Sequence, residues 1–313
     1  MKRIILALCI IASLLVFTGC QEESTTSVKT DPFLGGTTGI TIEFAEGSPP
    51  EEVYDGGDNP FDISLVLENK GEHDVDPEDI VIKISGLYTE SFGVSEGDLT
   101  KHPEEEVLAT EKDSEGGIIE GPPVYVSFDG FNYADELKGN NMFPVRADVC
   151  YKYETDAVAN LCIRENNIDT TEDGVCEVQG TKKVYNSGAP VQIAEFKEVP
   201  MSPNKVRFQF YIKHMGTGEI FKKDTTCSKE INNDEDKVWV EVESEIGSGL
   251  KCSGLSEGTD TTGFTRLYSD KKLITCTQEV TTASDYEMPV NINVVYDYEQ
   301  DKSADILVKH AAS

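Results

Sequence analysis

The sequence predicts an all-β protein, two tandem antiparallel sandwiches in one chain, and three observations lead there. Short runs of alternating apolar and polar residues dominate: Ile40–Phe44, Phe61–Leu67, Ile80–Ile84, Val124–Phe128, Val206–Ile212, Val238–Val242, Val290–Tyr298 and Asp305–Val308. Gly, Pro, Asn and Asp separate them, and convincing amphipathic helices are absent. A block from Pro144 to Asp156, PVRADVCYKYETD, aligns without a gap on Pro289 to Asp301, PVNINVVYDYEQD. Beyond residue 20 stand six cysteines, an even number that reads as a disulfide set in an exported chain.

The chain opens with the three parts of a secretory signal over residues 1–19. Lys2 and Arg3 supply positive charge, and Ile4 to Phe17 form an apolar run too short to span a bilayer comfortably. Val16-Phe17-Thr18-Gly19-Cys20 closes it. This segment resembles the lipobox of prokaryotic lipoproteins, with Phe17 where leucine is usual. The resemblance implies cleavage before Cys20, acylation of its thiol, and display on the outer face of the cell membrane. Residues 20–36 are polar, end in Gly-Gly and read as a lipidated flexible tether, about 50 Å long if fully extended.

The first sandwich is expected over 37–168, a linker over 169–188 and the second sandwich over 189–313. The repeat extends from Ala159–Arg164 onto Ala304–Lys309. Upstream, Phe61, Ile63, Leu65, Leu67 and Gly71 fall at the same offset onto Val206, Phe208, Phe210, Ile212 and Gly216. Thr217–Glu235 reads as an insertion relative to Glu72–Pro77, compensated by a shorter stretch later on. Each copy is expected to end in a hairpin. Val149, Tyr151 and Tyr153 would share the core face with Ala159, Leu161 and Ile163, and a turn centred on Asp156 would bring Cys150 opposite Cys162. The expected disulfides are therefore Cys150–Cys162, with Cys252–Cys276 stapling neighbouring strands and Cys176–Cys227 tying the linker to the insertion. Four cysteines allow three pairings, so the last two rest on placement alone.

Leu65-Val-Leu-Glu-Asn69-Lys-Gly71 and Phe210-Tyr-Ile-Lys-His214-Met-Gly216 resemble the strand-to-turn signature of CARDB-like domains, immunoglobulin-like modules of archaeal and bacterial surface proteins. In such a turn Asn caps the backbone and Gly takes a positive φ. His214 departs from the usual Asn, so its turn is expected to be capped differently. The ectodomain as a whole resembles uncharacterised cell-surface lipoproteins of small-genome archaea. The implied architecture is a signal peptide, a short tether and two tandem immunoglobulin-like β-sandwiches.

Removal of residues 1–19 leaves 25 basic against 58 acidic residues, a charge of −33. This argues against nucleic acid or anionic lipid headgroups as partners. It fits a highly soluble surface, a saline habitat or divalent cations. Lys outnumbers Arg 21 to 4 in the mature chain, which favours the first reading.

The four histidines, His73, His102, His214 and His310, form no HExxH pattern. GxSxG, a phosphate-cradling glycine loop and CxxC are also absent. No catalytic residue and no cofactor is therefore expected, calcium being the one candidate ligand. Three acidic loops carry it: Asp55-Gly-Gly-Asp58, Asp74–Asp79 and Asn232–Asp236, with Asp55, Asp58, Asp234 and Asp236 as ligands. None has EF-hand spacing, and a solvated turn is the simpler reading of each. Trp239, the only tryptophan, is the candidate interaction residue, either anchoring a partner or glycan or packing beneath the 217–235 insertion. The functional expectation is a membrane-anchored structural or adhesive protein that contacts other envelope proteins. A glycan- or calcium-binding module is the alternative, and a surface hydrolase a more distant one.

Overall fold

A computed structural model describes residues 31–169, 174–230, 234–246 and 248–311. The expected signal peptide, Cys20 and most of the tether lie outside the described residues, as do Asn232 and Asn233 of the third acidic loop.

The first half forms β1 (Ile40–Phe44), β2 (Glu52–Tyr54), β3 (Phe61–Asn69), β4 (Ile80–Ser85), β5 (Thr100–Lys101), β6 (Glu111–Lys112), β7 (Ile118–Ile119), β8 (Val124–Phe131) and β9 (Asn141–Ile163). The second half forms β10 (Gly180–Thr181), β11 (Val184–Asn186), β12 (Val191–Ser202), β13 (Lys205–His214), β14 (Glu219–Phe221), β15 (Lys237–Ser244), β16 (Lys251–Ser253), β17 (Thr262–Arg266), β18 (Lys271–Glu279) and β19 (Tyr286–Lys309). The only described helices are two 3-10 turns, Pro77–Asp79 and Glu96–Leu99. The protein is all-β and its sheets are antiparallel, apart from the short parallel pairing of β2 with β19.

The expected hairpins are absent. Each is instead one long strand, and the two strands pair with each other from Asn141↔Val308 to Cys162↔Glu287 and on to Ile163↔Tyr286. The cause is an unbroken alternation. Val145, Ala147, Val149, Tyr151, Tyr153, Thr155, Ala157, Ala159, Leu161 and Ile163 are all buried, and no glycine interrupts either strand. A turn at Asp156 would discard ladder hydrogen bonds that the long partner strand supplies in full.

This ladder makes Pro32–Ser313 one compact unit. The central sheet runs β17-β15-β19-β9-β4-β5, so it draws strands from both halves. A three-stranded sheet, β1-β3-β8, and a five-stranded one, β10-β12-β13-β18-β16, both reach its core face, β1 at Tyr151 and β12 at Tyr296. Their inward faces, among them Ile63, Leu65 and Leu67 from β3 and Phe208, Phe210 and Ile212 from β13, join the central sheet in one core. The stretch expected as a linker carries β10 on β12 and β11 on β9, so 180–186 is built into the sheets.

The repeat becomes a pseudo-twofold. Lys152 pairs with Asp297, its own counterpart in the other copy, so the axis passes between them. Val81 faces Cys150, and Trp239 faces Val295, the counterpart of Cys150. That places thirteen extra residues in the second half, the excess of Thr217–Glu235 over Glu72–Pro77.

Candidate functional site

The axis has two faces. On the core face four buried tyrosines meet: Tyr151, Tyr153, Tyr296 and Tyr298. Tyr151 packs edge-on against Tyr153 at 5.6 Å and against Tyr298 at 5.8 Å, and Tyr296 against Tyr298 at 6.2 Å. Their hydroxyls are partnered symmetrically. The Ile40 amide donates to Tyr151 Oη (3.2 Å), and the Val191 amide donates to Tyr296 Oη (3.3 Å). This pairs β1 with β12 as counterparts, a match the sequence repeat does not display. Tyr153 Oη donates to Asn69 Oδ1 (2.9 Å), while Tyr298 Oη lies 3.1 Å from His214 Nε2. Asn69 and His214 thus hold equivalent places against equivalent tyrosines.

Burial raises all four phenols, that of Tyr298 to about 12. Burial also lowers the pKa of His214. The CARDB-like turn works differently from its expectation. Neither Gly71 nor Gly216 has a positive φ. A Cβ at Gly71 would stand 2.1 Å from Tyr153 Oη, and one at Gly216 2.2 Å from Tyr298 Oη. Glycine is required there by the close approach of the hydroxyl. Asn69 Oδ1 accepts the Gly71 amide (3.0 Å), whereas the Gly216 amide goes to the Pro190 carbonyl (3.1 Å), so the second turn is indeed capped differently.

On the outer face lies the insertion. Asp224, Thr226 and Cys227 all have positive φ, which turns successive amides inward. The Asp297 carboxylate accepts the amides of Asp224, Thr225 and Thr226 at 2.8–3.0 Å. Burial nevertheless holds that carboxyl above its usual range. Lys152 Nζ pairs with Asp224 at 3.0 Å, so both axis residues hold the loop. A disulfide completes the attachment.

Cys150 bonds Cys227, with Cα atoms 5.9 Å apart, and Cys162 bonds Cys176, at 5.6 Å. These replace the expected Cys150–Cys162 and Cys176–Cys227 pairs. With β9 extended, Cys150 and Cys162 stand about 40 Å apart and cannot be joined. Cys252 bonds Cys276 across β16 and β18, as expected. Three disulfides in one compact unit belong to an oxidising, extracellular environment. No described helix is long and apolar enough to cross a membrane.

The remaining candidate residues are scattered. Asp55 is buried, and it accepts the amides of Ala311 (2.8 Å) and Leu137 (2.7 Å) with His310 Nδ1 at 2.8 Å. Those contacts, the Ala311 amide first, push its pKa down to about 2. Its carboxylate fastens the C-terminal end of β19, while Asp58 is exposed. Asp234 and Asp236 close the stem of the insertion through their backbones: the Lys222 amide reaches the Asp234 carbonyl (2.7 Å), and the Asp236 amide the Ile220 carbonyl (2.8 Å). Among the described residues no three His, Cys, Asp or Glu side chains gather to hold a metal ion. Trp239 is half-buried, edge-on to Phe264 at 4.8 Å, with Lys223 Nζ of the insertion 4.7 Å over its ring. It packs beneath the insertion.

Sequence reasoning missed two carboxylates. Glu72 accepts the amides of Leu34 (2.8 Å), Gly35 (2.8 Å) and Gly188 (2.7 Å), so the end of the expected tether is pinned where the halves join. Glu198 has no exposed surface. A bulge between Ala194 and Lys197, with Glu195 at φ 53°, turns it inward. It accepts the Cys162 amide (3.0 Å) and pairs with Lys182 (3.1 Å), and burial raises its pKa to about 7. The signal was a phase break: Val191 and Ile193 alternate on odd positions, Phe196 and Glu198 on even ones.

Beside the insertion lies a polar cleft of about 350 Å³. Arg146 pairs there with Asp301 (3.4 Å), Lys229 with Glu299 (2.9 Å) and Lys302 with Glu43 (2.6 Å).

No protein-family model matches the chain, and no curated protein matches it. Solved structures similar to it include the envelope protein VP37 from White Spot Syndrome Virus, at 9% identity and a TM-score of 0.20, over 47% of this chain and 97% of that one.

Proposed function

We propose that the chain is a surface lipoprotein, held at the outer face of the cell membrane by lipid on Cys20, whose ectodomain makes non-enzymatic structural or adhesive contacts with other envelope proteins. The observation that carries this reading is the Glu72 clamp. It fixes Leu34 and Gly35 to Gly188 at the junction of the halves. Load on the tether enters both halves together, and the β9–β19 ladder and the Cys150–Cys227 bond resist their separation. A stiff, acidic, disulfide-bonded body on a short leash suits display and contact.

Crosslinking on intact cells, with and without Cys20→Ser, tests it. The expected result is a membrane-bound protein crosslinked to defined envelope partners, with the variant released from the membrane. A variant that stays bound, or a native protein that yields no specific crosslink, would sink the reading. The polar cleft supports a second reading, a glycan-binding module. A glycan array decides between them, since specific retention lost on Arg146→Ala would favour the module.

A further inference from the structure

The two halves treat equivalent sheet edges differently. From Ile63 to Leu67, β3 and β8 correspond to β13 and β18 residue by residue: Ser64↔Ser127 matches Gln209↔Thr275, and Ile63↔Phe128 matches Phe208↔Cys276. Even the cross-strand contacts match, with Ser64 Oγ 2.8 Å from Ser127 Oγ and Gln209 Nε2 3.1 Å from Thr275 Oγ1. In the second half β18 is not the edge. β16 adds outside it, Cys252 facing Cys276, Ser253 facing Thr275 and Lys251 facing Thr277. In the first half β8 ends its sheet among the described residues.

The backbone of β8 is turned outward where β16 would bind. The Ser64 amide goes to Ser48 Oγ (2.6 Å), and the Ser64 carbonyl accepts from Ala45 (2.9 Å), so Ser64 faces β1. Ser64 and Ser127 are therefore a non-hydrogen-bonded pair, and the N–H and C=O of Ser127 point away from β3. The Ser127 carbonyl is held by Lys101 Nζ at 2.6 Å. Its counterpart, the Thr275 carbonyl, is held by Ser253 Oγ of β16 at 3.1 Å. A lysine tip stands in for the strand that is present in the other half.

We infer that the free edge of β8 is the docking site for an extended, basic segment of a partner protein, which adds antiparallel to β8 as the fourth strand of that sheet. The occupant's charge follows from the walls. A groove of about 340 Å³ runs beside β8, lined by Lys101, His102, Glu104, Glu105 and Asp129; Asp129 pairs with Lys101 at 3.4 Å, so Glu104 and Glu105 set the sign of the wall. The internal precedent sets Lys251 against Thr277, and Asp129 stands just beyond Phe128, where the β3–β8 ladder shifts register. A second copy of this chain, carrying a charge of −31, would meet that groove with like charge. Tyr125, 65% exposed on the outer face of β8, offers its ring to the incoming side chains. Main-chain hydrogen bonds supply affinity here and alternate side chains supply selectivity.

The inference specifies the contact that the adhesive reading requires. It is tested on the purified full chain with a short labelled peptide alternating lysine with valine and threonine, beside a peptide with glutamate at every lysine. Saturable binding of the lysine peptide is expected, with no binding of the glutamate one. Ser127→Pro removes the outward N–H at an edge position, and Asp129→Lys cancels the wall charge on the surface. Each should weaken binding at least about tenfold with the melting temperature kept. No saturable binding of the lysine peptide, equal binding of both peptides, or lysine-peptide binding that neither variant alters would overturn the inference. A concentration-dependent dimer that Ser127→Pro abolishes would place a second copy at the edge and overturn the choice of occupant. Any of these failures would leave the cell-surface crosslinks intact, so the two proposals fail separately.

Discussion

Replacing Glu198 by glutamine should make the stability of this protein less sensitive to pH in a calculable way. The carboxyl has no exposed surface, and burial raises its pKa from 4.5 to about 7 against the opposing Cys162 amide and Lys182 ammonium. The folded state therefore holds its proton more tightly than the unfolded chain does. Below pH 4.5 both states are protonated and Glu198 costs nothing by titration. As pH rises towards 7 the unfolded state ionises first, and the native state loses stability until both are charged. A shift of this size amounts to about 3 kcal/mol in full, of which about 2.5 kcal/mol falls between pH 5 and pH 8. Denaturant unfolding of native protein and Glu198→Gln at both pH values isolates the term, because the other acidic groups cancel in the difference. The variant should gain about 2.5 kcal/mol on the native protein between pH 5 and pH 8. A difference that stays flat would mean that Glu198 is solvated or fully neutralised by Lys182, and the reasoning from burial would fail.

Three further outcomes follow from named contacts. Removing Cys150–Cys227, which closes a separation of 77 residues, should cost about 4.5 kcal/mol in the chain-entropy description, seen in chemical denaturation of the double alanine variant, with proteolysis appearing first within 217–235. Gly71→Ala should cost at least about 3 kcal/mol, because its Cβ would meet Tyr153 Oη, the Gly188 carbonyl and the Thr38 carbonyl, all within 2.7 Å; an unchanged melting temperature would contradict the close approach. Asp55 contributes stability that is whole above its unfolded pKa of 3.8 and is lost as pH falls through about 2, so an acid titration followed by circular dichroism should be shallower for Asp55→Asn.

The strands and the repeat were legible in the sequence because period-two alternation reports burial on one face directly. Phe61–Leu67, Ile80–Ile84 and Val238–Val242 all lie within observed strands. The length of the insertion was legible for the same reason, since the copies realign on either side of it. What misled was Glu154-Thr155-Asp156, whose polar residues look like a turn. Thr155 is buried, its hydroxyl donating to the Val191 carbonyl (2.8 Å), and the odd-numbered phase runs through it unbroken to Ile163. Alternation identifies which face a residue occupies but not which strand pairs with it, and that choice needs the distant partner β19. The expected Cys150–Cys162 and Cys176–Cys227 pairs failed with the hairpin, whereas Cys252–Cys276 formed as expected. Of the site residues, Trp239 had its face fixed by its neighbours, but whether it anchored a partner or packed beneath the insertion stayed open until Lys223 was found over its ring. Asp55 was read as a loop ligand because nothing local reveals that residues 137 and 311 arrive to occupy it.

The central claim is that β9 and β19 are single strands paired across the two halves, and disulfide mapping of the non-reduced protein tests it most directly. Digestion followed by mass spectrometry should yield Cys150 linked to Cys227, Cys162 linked to Cys176 and Cys252 linked to Cys276. A peptide linking Cys150 to Cys162 would require a hairpin at Asp156, and the shared sheet would have to be abandoned.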